Sequence, residues 1–278
     1  MNWEIASENN GIILYEGYNP DVPLRAWTVI IPNKKKNKIS ILVASDDDGL
    51  DSPKDIAIEN GANVVINGGY FTRGQSPVNH VGLLKSNDVL IEPASNSVLR
   101  EKIRYNINRG ALGIFADGKV DIGWASTRND SIFVWEEPIK NRPGKPNILD
   151  YNKAKFWDVT EAIHAGPILI SNGVINVTSE EEVFFNTPVD GVQPRSAIGY
   201  KNNGDIVIMV VDGRQVDSRG AYLKELAMLM LQFQCHEALN LDGGGSSALI
   251  FFDKLINKPI GLYKQREVMS SIGIISQK

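Results

Sequence analysis

Short apolar runs recur along the chain, each rich in β-branched residues and bounded by Gly, Asn or Asp. Runs of this length and composition are typical of β-strands. They predict strands at Trp27–Ile31, Ile39–Ala44, Asn63–Ile66, Leu112–Phe115, Ile168–Ser171, Ser196–Tyr200, Ile206–Val211, Ala238–Leu241, Ala248–Phe252 and Ser271–Ile275. Asp-Gly and Asn-Gly turn signals at Ala116–Lys119 and Lys201–Gly204 predict hairpins between neighbouring runs.

Two segments have the pattern of a helix instead. Ser52 and Pro53 supply an N-cap and a first-turn proline, and Gly61 is suited to close that helix. The second segment extends from about Gly220 to Cys235, with apolar residues at helical spacing. We therefore predict an α+β fold: a single domain with a mixed, largely antiparallel β-sheet core flanked by helices.

Composition and charge exclude several classes of protein. The net charge of −4 and the pI of about 5.5 leave no broad basic surface for nucleic acid. The single cysteine, Cys235, excludes an internal disulfide framework and a cysteine-based zinc site. No apolar run approaches the ~20 residues of a membrane span. Location stays open: secreted, periplasmic or cell-surface if a signal peptide was removed, and otherwise cytoplasmic.

Polar side chains cluster where the predicted strands begin or end. Asn67 follows one strand, Arg195 precedes another, and Asp212 with Arg214 follows a third. Asn240 and Asp242 follow a fourth. Taken alone, each cluster is more typical of an ordinary turn or a surface ion pair than of a functional site.

The glycine triplet, Gly243–Gly245, is harder to explain as a turn. A two-residue hairpin needs one or two residues with positive φ, whereas here three glycines precede Ser246 and Ser247. Successive glycines let backbone N–H groups approach a ligand and form a concavity that binds anions. The spacing matches neither a P-loop nor a nucleophile elbow. An anion site beside a carboxylate, with arginines available, suits a substrate that bears phosphate or carboxylate.

Five motifs in this order resemble the phosphodiester glycosidase domain family, which includes the mammalian uncovering enzyme and many bacterial proteins. They are INGGYF at 66–71, AGPILISNG at 165–173, PRSAIGY at 194–200, VVDGR at 210–214 and LNLDGGGSSAL at 239–249. Asn257 and Arg266 fit the family's later positions. The resemblance runs from about Leu24 to Ile275, so we expect a domain over 24–278, an N-terminal extension over 1–23 and an irregular insertion near 127–156.

The resemblance implies hydrolysis of a glycosyl-1-phosphodiester at a surface cavity, with a small-molecule or polymeric phosphoglycan as substrate. By motif match, Asp242 and Asp212 are the catalytic candidates. The expected substrate-binding residues are Asn67, Arg195, Arg214, Asn240, Gly243, Gly244, Gly245, Ser246, Ser247 and Arg266. No cofactor is required by the sequence. A divalent cation stays open, because carboxylates and phosphate oxygens suit a hard metal ion.

Two alternatives stay open beside this interpretation. One is a carbohydrate- or phosphoglycan-binding module that keeps the cavity without turnover. The other is a phosphodiesterase that breaks the other P–O bond. The resemblance does not carry over the substrate, since family members with many cysteines and appended modules differ from this chain, which has one cysteine.

Overall fold

The structure, a computed structural model, describes residues 1–74, 76–262 and 264–276. These residues form 22 β-strands, two α-helices and three short 3-10 helices. The strands are β1 (Asn2–Asn9), β2 (Ile12–Asn19), β3 (Leu24–Ile31), β4 (Asn37–Val43), β5 (Val64–Asn67), β6 (Leu84–Ser86), β7 (Val89–Glu92), β8 (Ser97–Arg100), β9 (Ile103–Asn106), β10 (Arg109–Ile114), β11 (Val120–Arg128), β12 (Ser131–Trp135), β13 (Lys155–Phe156), β14 (Glu161–His164), β15 (Ile168–Ser171), β16 (Val174–Ile175), β17 (Arg195–Tyr200), β18 (Ile206–Val211), β19 (Glu237–Asn240), β20 (Leu249–Phe251), β21 (Lys254–Leu255) and β22 (Ser270–Ser276). The α-helices are α1 (Pro53–Glu59) and α2 (Leu223–Gln232), and the 3-10 helices are Tyr151–Lys153, Pro188–Asp190 and Gly244–Ser246.

The strands build three large sheets and one two-stranded ribbon. The eight-stranded sheet has the order β1-β2-β3-β18-β17-β19-β15-β16, and the seven-stranded sheet has the order β13-β12-β11-β10-β14-β6-β7. The five-stranded sheet has the order β21-β20-β5-β22-β4, and β8 pairs with β9. Neither α-helix in the described ranges is long and apolar enough to cross a membrane.

The predicted fold class is wrong. The chain is mostly β, with several sheets, and the strand pairs of the described residues are all antiparallel, so the sheets are not mixed. Only two α-helices are present among these residues, and they do not flank a single sheet: α1 packs on the five-stranded sheet and α2 on the eight-stranded one. The physical reason is that the sheets face one another and bury most of their apolar surface without helices.

Alternation of side chains along β18 shows how the layers pack. Ile208 and Val210 point into the core that the three large sheets share. Val207 and Met209 point the other way and are covered by α2. Successive side chains of a strand lie on opposite faces. A strand buried on both faces is therefore apolar throughout, which is why its run was evident in the sequence.

Both predicted helices and both predicted hairpins are confirmed. Ser52 caps α1 through its side chain, which accepts a hydrogen bond from the Asp55 amide. Helix α2 is shorter than its predicted span and begins at Leu223. The hairpins join β10 to β11 and β17 to β18.

Several strands escaped prediction because they are partly exposed or carry polar residues. The clearest case is the hairpin of β1 and β2, which extends the eight-stranded sheet from β3. The predicted division of the chain stays a prediction. It comprises an N-terminal extension over 1–23, a domain over 24–278 and an insertion near 127–156.

Strand register brings the polar clusters together at one end of the eight-stranded sheet. Arg195 at the start of β17 pairs with Val211 at the end of β18, and Ala197 pairs with Asn240 at the end of β19. Because neighbouring antiparallel strands run in opposite directions, a strand start and two strand ends share this edge. The loops that follow β18 and β19 therefore leave the sheet side by side.

Burial of Met230 under the eight-stranded sheet predicts a specific stability effect. Met230 is fully buried in the α2 layer, whereas Met228 on the same helix is 51% exposed. Met230→Ala should lower the free energy of unfolding by about 2–5 kcal/mol through lost burial and a cavity. The matched control Met228→Ala should change it by less than about 0.5 kcal/mol. Chemical denaturation of both variants measures this, and equal effects would contradict the packing described.

Candidate active site

A cavity of about 310 Å³ opens where the loops after β5, β18 and β19 meet. We call it the arginine cavity. Its lining comprises Tyr70, Arg73, Pro188, Val189, Gln193, Arg195, Arg214, Asp242, Gly243, Gly244, Gly245 and Arg266. These residues are far apart in the sequence, and the strand register above brings them together.

The structure divides the predicted site residues into two groups. One group lines the arginine cavity: Arg195, Arg214, Asp242, Gly243, Gly244, Gly245 and Arg266. The other group does not line it and lies buried behind it: Asn67, Asp212, Asn240, Ser246 and Ser247. The second group supports the loops that carry the first.

Asp242 is the carboxylate of the cavity. Its Oδ1 accepts a hydrogen bond of 2.9 Å from the Gly243 amide, and its backbone amide donates to the Gly68 carbonyl at 3.0 Å. Burial raises the pKa of Asp242 to about 6, against the opposing effects of the Ser246 hydroxyl, the Gly243 amide and the positive charges of Arg266 and Arg73. Desolvation of the charged form is the larger effect. Asp242 thus titrates close to neutral pH, as acid–base groups of active sites often do.

Asn67 holds the Asp242 loop in place. Its Nδ2 donates to the Asp242 carbonyl oxygen at 2.7 Å. Its Oδ1 accepts from the Ser196 hydroxyl at 2.6 Å and from the Ala248 amide at 3.2 Å. With all these bonds made inside the protein, the Asn67 side chain supports the site from behind.

Asn240 makes a similar link on the other side of the cavity. Its Nδ2 donates to the Gly166 carbonyl at 2.8 Å and lies 3.1 Å from the Tyr70 hydroxyl oxygen. The Tyr70 hydroxyl donates to the same Gly166 carbonyl at 2.9 Å, which orients the ring that lines the cavity. Burial and the nearby Asp242 carboxylate raise the pKa of Tyr70, so its phenol stays neutral.

The glycine triplet mainly lets other groups approach the loop closely, and most of its backbone amides are not free to donate to a ligand. Gly243 donates to Asp242 and Gly244 donates to the Pro194 carbonyl, so two of the three amides already have partners inside the protein. A Cβ at Gly243 would lie 2.7 Å from the Pro194 oxygen, and one at Gly245 would clash with the Arg266 guanidinium. The absence of side chains therefore lets Arg266 lie directly against the loop.

Three guanidinium groups surround the triplet and Asp242. The Nη2 of Arg214 lies 3.4 Å from the Cβ position of Gly244 and donates to Gln193 Oε1 at 2.5 Å. Arg266 reaches the Ser246 hydroxyl at 3.4 Å. Burial and the positive charges of Arg73 and Arg214 lower the pKa of Arg266, while Asp242 opposes this effect. Like charges therefore converge on one small volume.

Arg195 differs from these three because it is buried and mostly bonded. Its Nε donates to the Ala221 carbonyl at 2.9 Å, and its Nη2 donates to the carbonyls of Val189 and Gly191. Burial lowers the pKa of Arg195 to about 10, which leaves it charged at neutral pH. Its guanidinium fastens the Pro188–Asp190 turn to the sheet, and its remaining edge lines the cavity.

The structure does not bring Asp212 to the cavity beside Asp242. Its Oδ1 accepts from Asn257 Nδ2 and from the Lys258 amide, both at 3.0 Å. Its own carbonyl accepts from the Ser218 hydroxyl at 2.7 Å. These bonds hold the turn that carries Arg214 against the segment that begins at Asn257.

Sequence reasoning missed five residues that line the cavity: Tyr70, Arg73, Pro188, Val189 and Gln193. Tyr70 lies within the INGGYF motif, so the motif already contained the signal for it. Arg73 and Gln193 had no such signal, because each lies in an irregular loop whose position depends on tertiary contacts.

His164, which precedes the Gly166 turn, is a buried structural residue. Its Nε2 lies 3.2 Å from the Ala125 carbonyl, and burial together with the Arg109 charge lowers the pKa of His164 to about 3. Across residues 1–74, 76–262 and 264–276, no three His, Cys, Asp or Glu side chains come close enough together to hold a metal ion.

Comparison with known proteins assigns the family of this chain. A profile of the phosphodiester glycosidase family matches residues 60–275, which is most of the chain. The chain belongs to the phosphodiester glycosidase family. Membership supports phosphodiester glycosidase activity in general.

Two animal relatives share the name N-acetylglucosamine-1-phosphodiester alpha-N-acetylglucosaminidase. The Bos taurus protein is 34% identical over 100 residues, which cover 33% of this chain and 19% of that protein. The Mus musculus protein is 26% identical over 208 residues, which cover 74% of this chain and 35% of that protein. The chain spans about a third or less of the length of these two relatives.

A solved structure shares the fold. It is the zebrafish N-acetylglucosamine-1-phosphodiester alpha-N-acetylglucosaminidase catalytic domain, auto-inhibited by its pro-peptide. The TM-score is 0.67 at 19% sequence identity, and the match covers 99% of this chain and 88% of that chain. At this identity the likeness shows a common fold.

The raised pKa of Asp242 predicts a pH-dependent stability. Below about pH 4 the carboxyl is neutral in both the folded and the unfolded chain, whereas above about pH 6 it is ionised in both and its burial destabilises the fold. Relative to Asp242→Asn, the wild-type chain should lose up to about 3 kcal/mol of unfolding free energy between these two pH values. Urea denaturation of both proteins from pH 4 to pH 7 measures this difference. Parallel curves would show that Asp242 does not titrate as described.

Proposed function

We propose that this chain hydrolyses a glycosyl-1-phosphodiester in the arginine cavity, cleaving between the anomeric carbon and the phosphate oxygen. The observation that carries the proposal is that one partly buried carboxylate, that of Asp242, lines the same 310 Å³ cavity as the guanidinium groups of Arg73, Arg214 and Arg266. A cavity with this charge suits a substrate that has an anionic side and a neutral sugar side. Family membership and the relatives' printed names support the same class of substrate.

The phosphate binds to Arg214 and Arg266 beside the glycine triplet in this proposal. A guanidinium group can donate two parallel hydrogen bonds to phosphate oxygens. Arg266 lies against Gly245, and Arg214 lies beside Gly244, so a phosphate above the triplet meets both groups. Preorganised cations of this kind stabilise the negative charge that develops on a departing phosphate.

Asp242 acts on the sugar side in its ionised form. A phosphate monoester leaves readily once the cations stabilise it, so a protonated acid is not needed for its departure. Asp242 then activates the attacking water or stabilises the positive charge of an oxocarbenium-like sugar. Asp212 is a positioning residue, because it holds the turn that carries Arg214.

Isotope labelling tests the bond that is cleaved. N-acetylglucosamine-1-phosphate methyl diester is a suitable first probe, since the relatives are named for that sugar, and diesters of other sugars extend the screen. In heavy-oxygen water, the label should enter the released sugar and be absent from the methyl phosphate. Label in the phosphate would support the phosphodiesterase alternative, and binding without any product would support the binding module. Dialysis against a chelator before the assay tests for a divalent cation.

Substitution of the two aspartates separates their roles. Asp242→Asn should lower kcat/KM about 100-fold or more, the range that acid–base groups contribute. The kcat/KM of the wild type should fall about tenfold per pH unit below about pH 6, as Asp242 becomes protonated.

Asp212→Asn, the comparison variant, should retain kcat/KM within about tenfold and lose about 1–3 kcal/mol of stability through its broken hydrogen bonds. A fully folded but inactive Asp212→Asn would instead make Asp212 a second catalytic carboxylate.

A further inference from the structure

The arginine cavity carries more positive charge than one phosphodiester needs. Four arginines and one aspartate line it, so with Asp242 ionised the lining has a net charge of +3. A phosphodiester bears a single negative charge. Even if the buried Arg195 is set aside because its hydrogen bonds go to carbonyls, the three other guanidinium groups exceed what one phosphate neutralises.

The cavity arginines also form no contact ion pair among the described residues, although the Asp242 charge acts on Arg266 within the cavity. Elsewhere on the surface Arg25 pairs with Glu16, Arg142 with Glu181, and Arg219 with Glu225. Within the described ranges, none of Arg73, Arg195, Arg214 and Arg266 forms such an ion pair. Unpaired like charges in one cavity repel each other, and an anionic ligand relieves this repulsion.

The positions of the three guanidinium groups suggest different roles. Arg214 and Arg266 lie against the glycine triplet and account for the scissile phosphate. Arg73 reaches the cavity from a different element, the loop after β5, and its residue is exposed. Within the described residues Arg73 has no hydrogen-bonding partner, and its one ring contact is with Phe71, 6.0 Å from the ring centroid. Its charge is therefore available to a group at the rim of the cavity.

We infer that the substrate carries a second anionic group on the alcohol side of the scissile phosphodiester, and that Arg73 binds it. The inference rests on the proposed function, because it assumes that the phosphodiester lies above the glycine triplet. The substrate class is then a glycosyl phosphodiester with a further phosphate, as in a polymer of phosphodiester-linked units or a sugar diphosphate ester. Arg73 is a specificity-determining residue in this scheme.

A pair of matched substrates tests the inference on the full chain. Both are diesters of N-acetylglucosamine-1-phosphate, or of the best sugar in the screen above. The alcohol of the first diester is a 2-hydroxyethyl group, which carries no charge. The alcohol of the second is a 2-phosphoethyl group, which has the same two-carbon spacer and adds the second anionic group. The kcat/KM should be about tenfold higher for the phosphoethyl diester, the size of one charge-assisted contact. Raising the salt concentration should reduce the ratio, because the second contact is at the solvent-exposed rim.

Arg73→Ala should reduce the ratio of the two kcat/KM values to near one. Arg104→Ala is the matched control: Arg104 is exposed on β9, its hydrogen bond is to Ser97, and it does not line the cavity, so the wild-type ratio should persist. An analogue with the second phosphate attached directly to the first shows which spacing Arg73 favours. A faster reaction with either doubly charged substrate supports the inference.

The outcomes separate the two proposals. If the wild type hydrolyses neither doubly charged substrate with a higher kcat/KM than the hydroxyethyl diester, the second anionic group is overturned while the proposed function stays intact. A ratio that Arg73→Ala leaves unchanged would overturn the role of Arg73. If neither diester is hydrolysed with any sugar, the proposed function itself fails, and the inference fails with it.

Discussion

The Asn67 side chain is the interaction on which the candidate site most depends. It is fully buried at the end of β5 in the five-stranded sheet, yet its amide binds the Asp242 carbonyl, the Ser196 hydroxyl and the Ala248 amide. One amide therefore joins two sheets and fixes the loop that carries the catalytic candidate. A buried amide that uses both its donor and its acceptor is costly to disrupt, because each lost bond leaves a polar group unsatisfied.

Near the Asn67 side chain, the fold places charged groups that lower the stability of the folded protein. Asp242 is desolvated, and Arg73, Arg214 and Arg266 repel one another. Such groups persist where a ligand compensates them, so they are a stronger indication of function than exposed ion pairs such as Arg25 with Glu16. In the same way, the glycine triplet gives up side-chain contacts so that a guanidinium can lie against the backbone.

Much of the local structure was predictable from sequence, and the reason is burial. Strands such as β18 are buried on both faces, so apolar residues occupy every position, while turn residues mark their ends. The two helices had caps and helical spacing. Strands such as β1 and β2 were not predictable, because an exposed strand can carry Glu, Ser and Asn without losing its pairing. The fold class was wrong for a related reason: composition does not reveal that sheets cover each other.

The sequence by itself determined the polar strand ends, the glycine triplet and the family to which they belong. Only the tertiary structure decided which of those residues share a cavity. Asp212 and Asn67 belong to motifs as conspicuous as that of Asp242, yet strand register and loop packing turn their side chains to interior partners. Arg73 has no motif, yet the fold of the loop after β5 brings it to the cavity. The physical reason is that a side chain's chemistry is local, whereas its neighbours and its desolvation depend on segments distant in the chain.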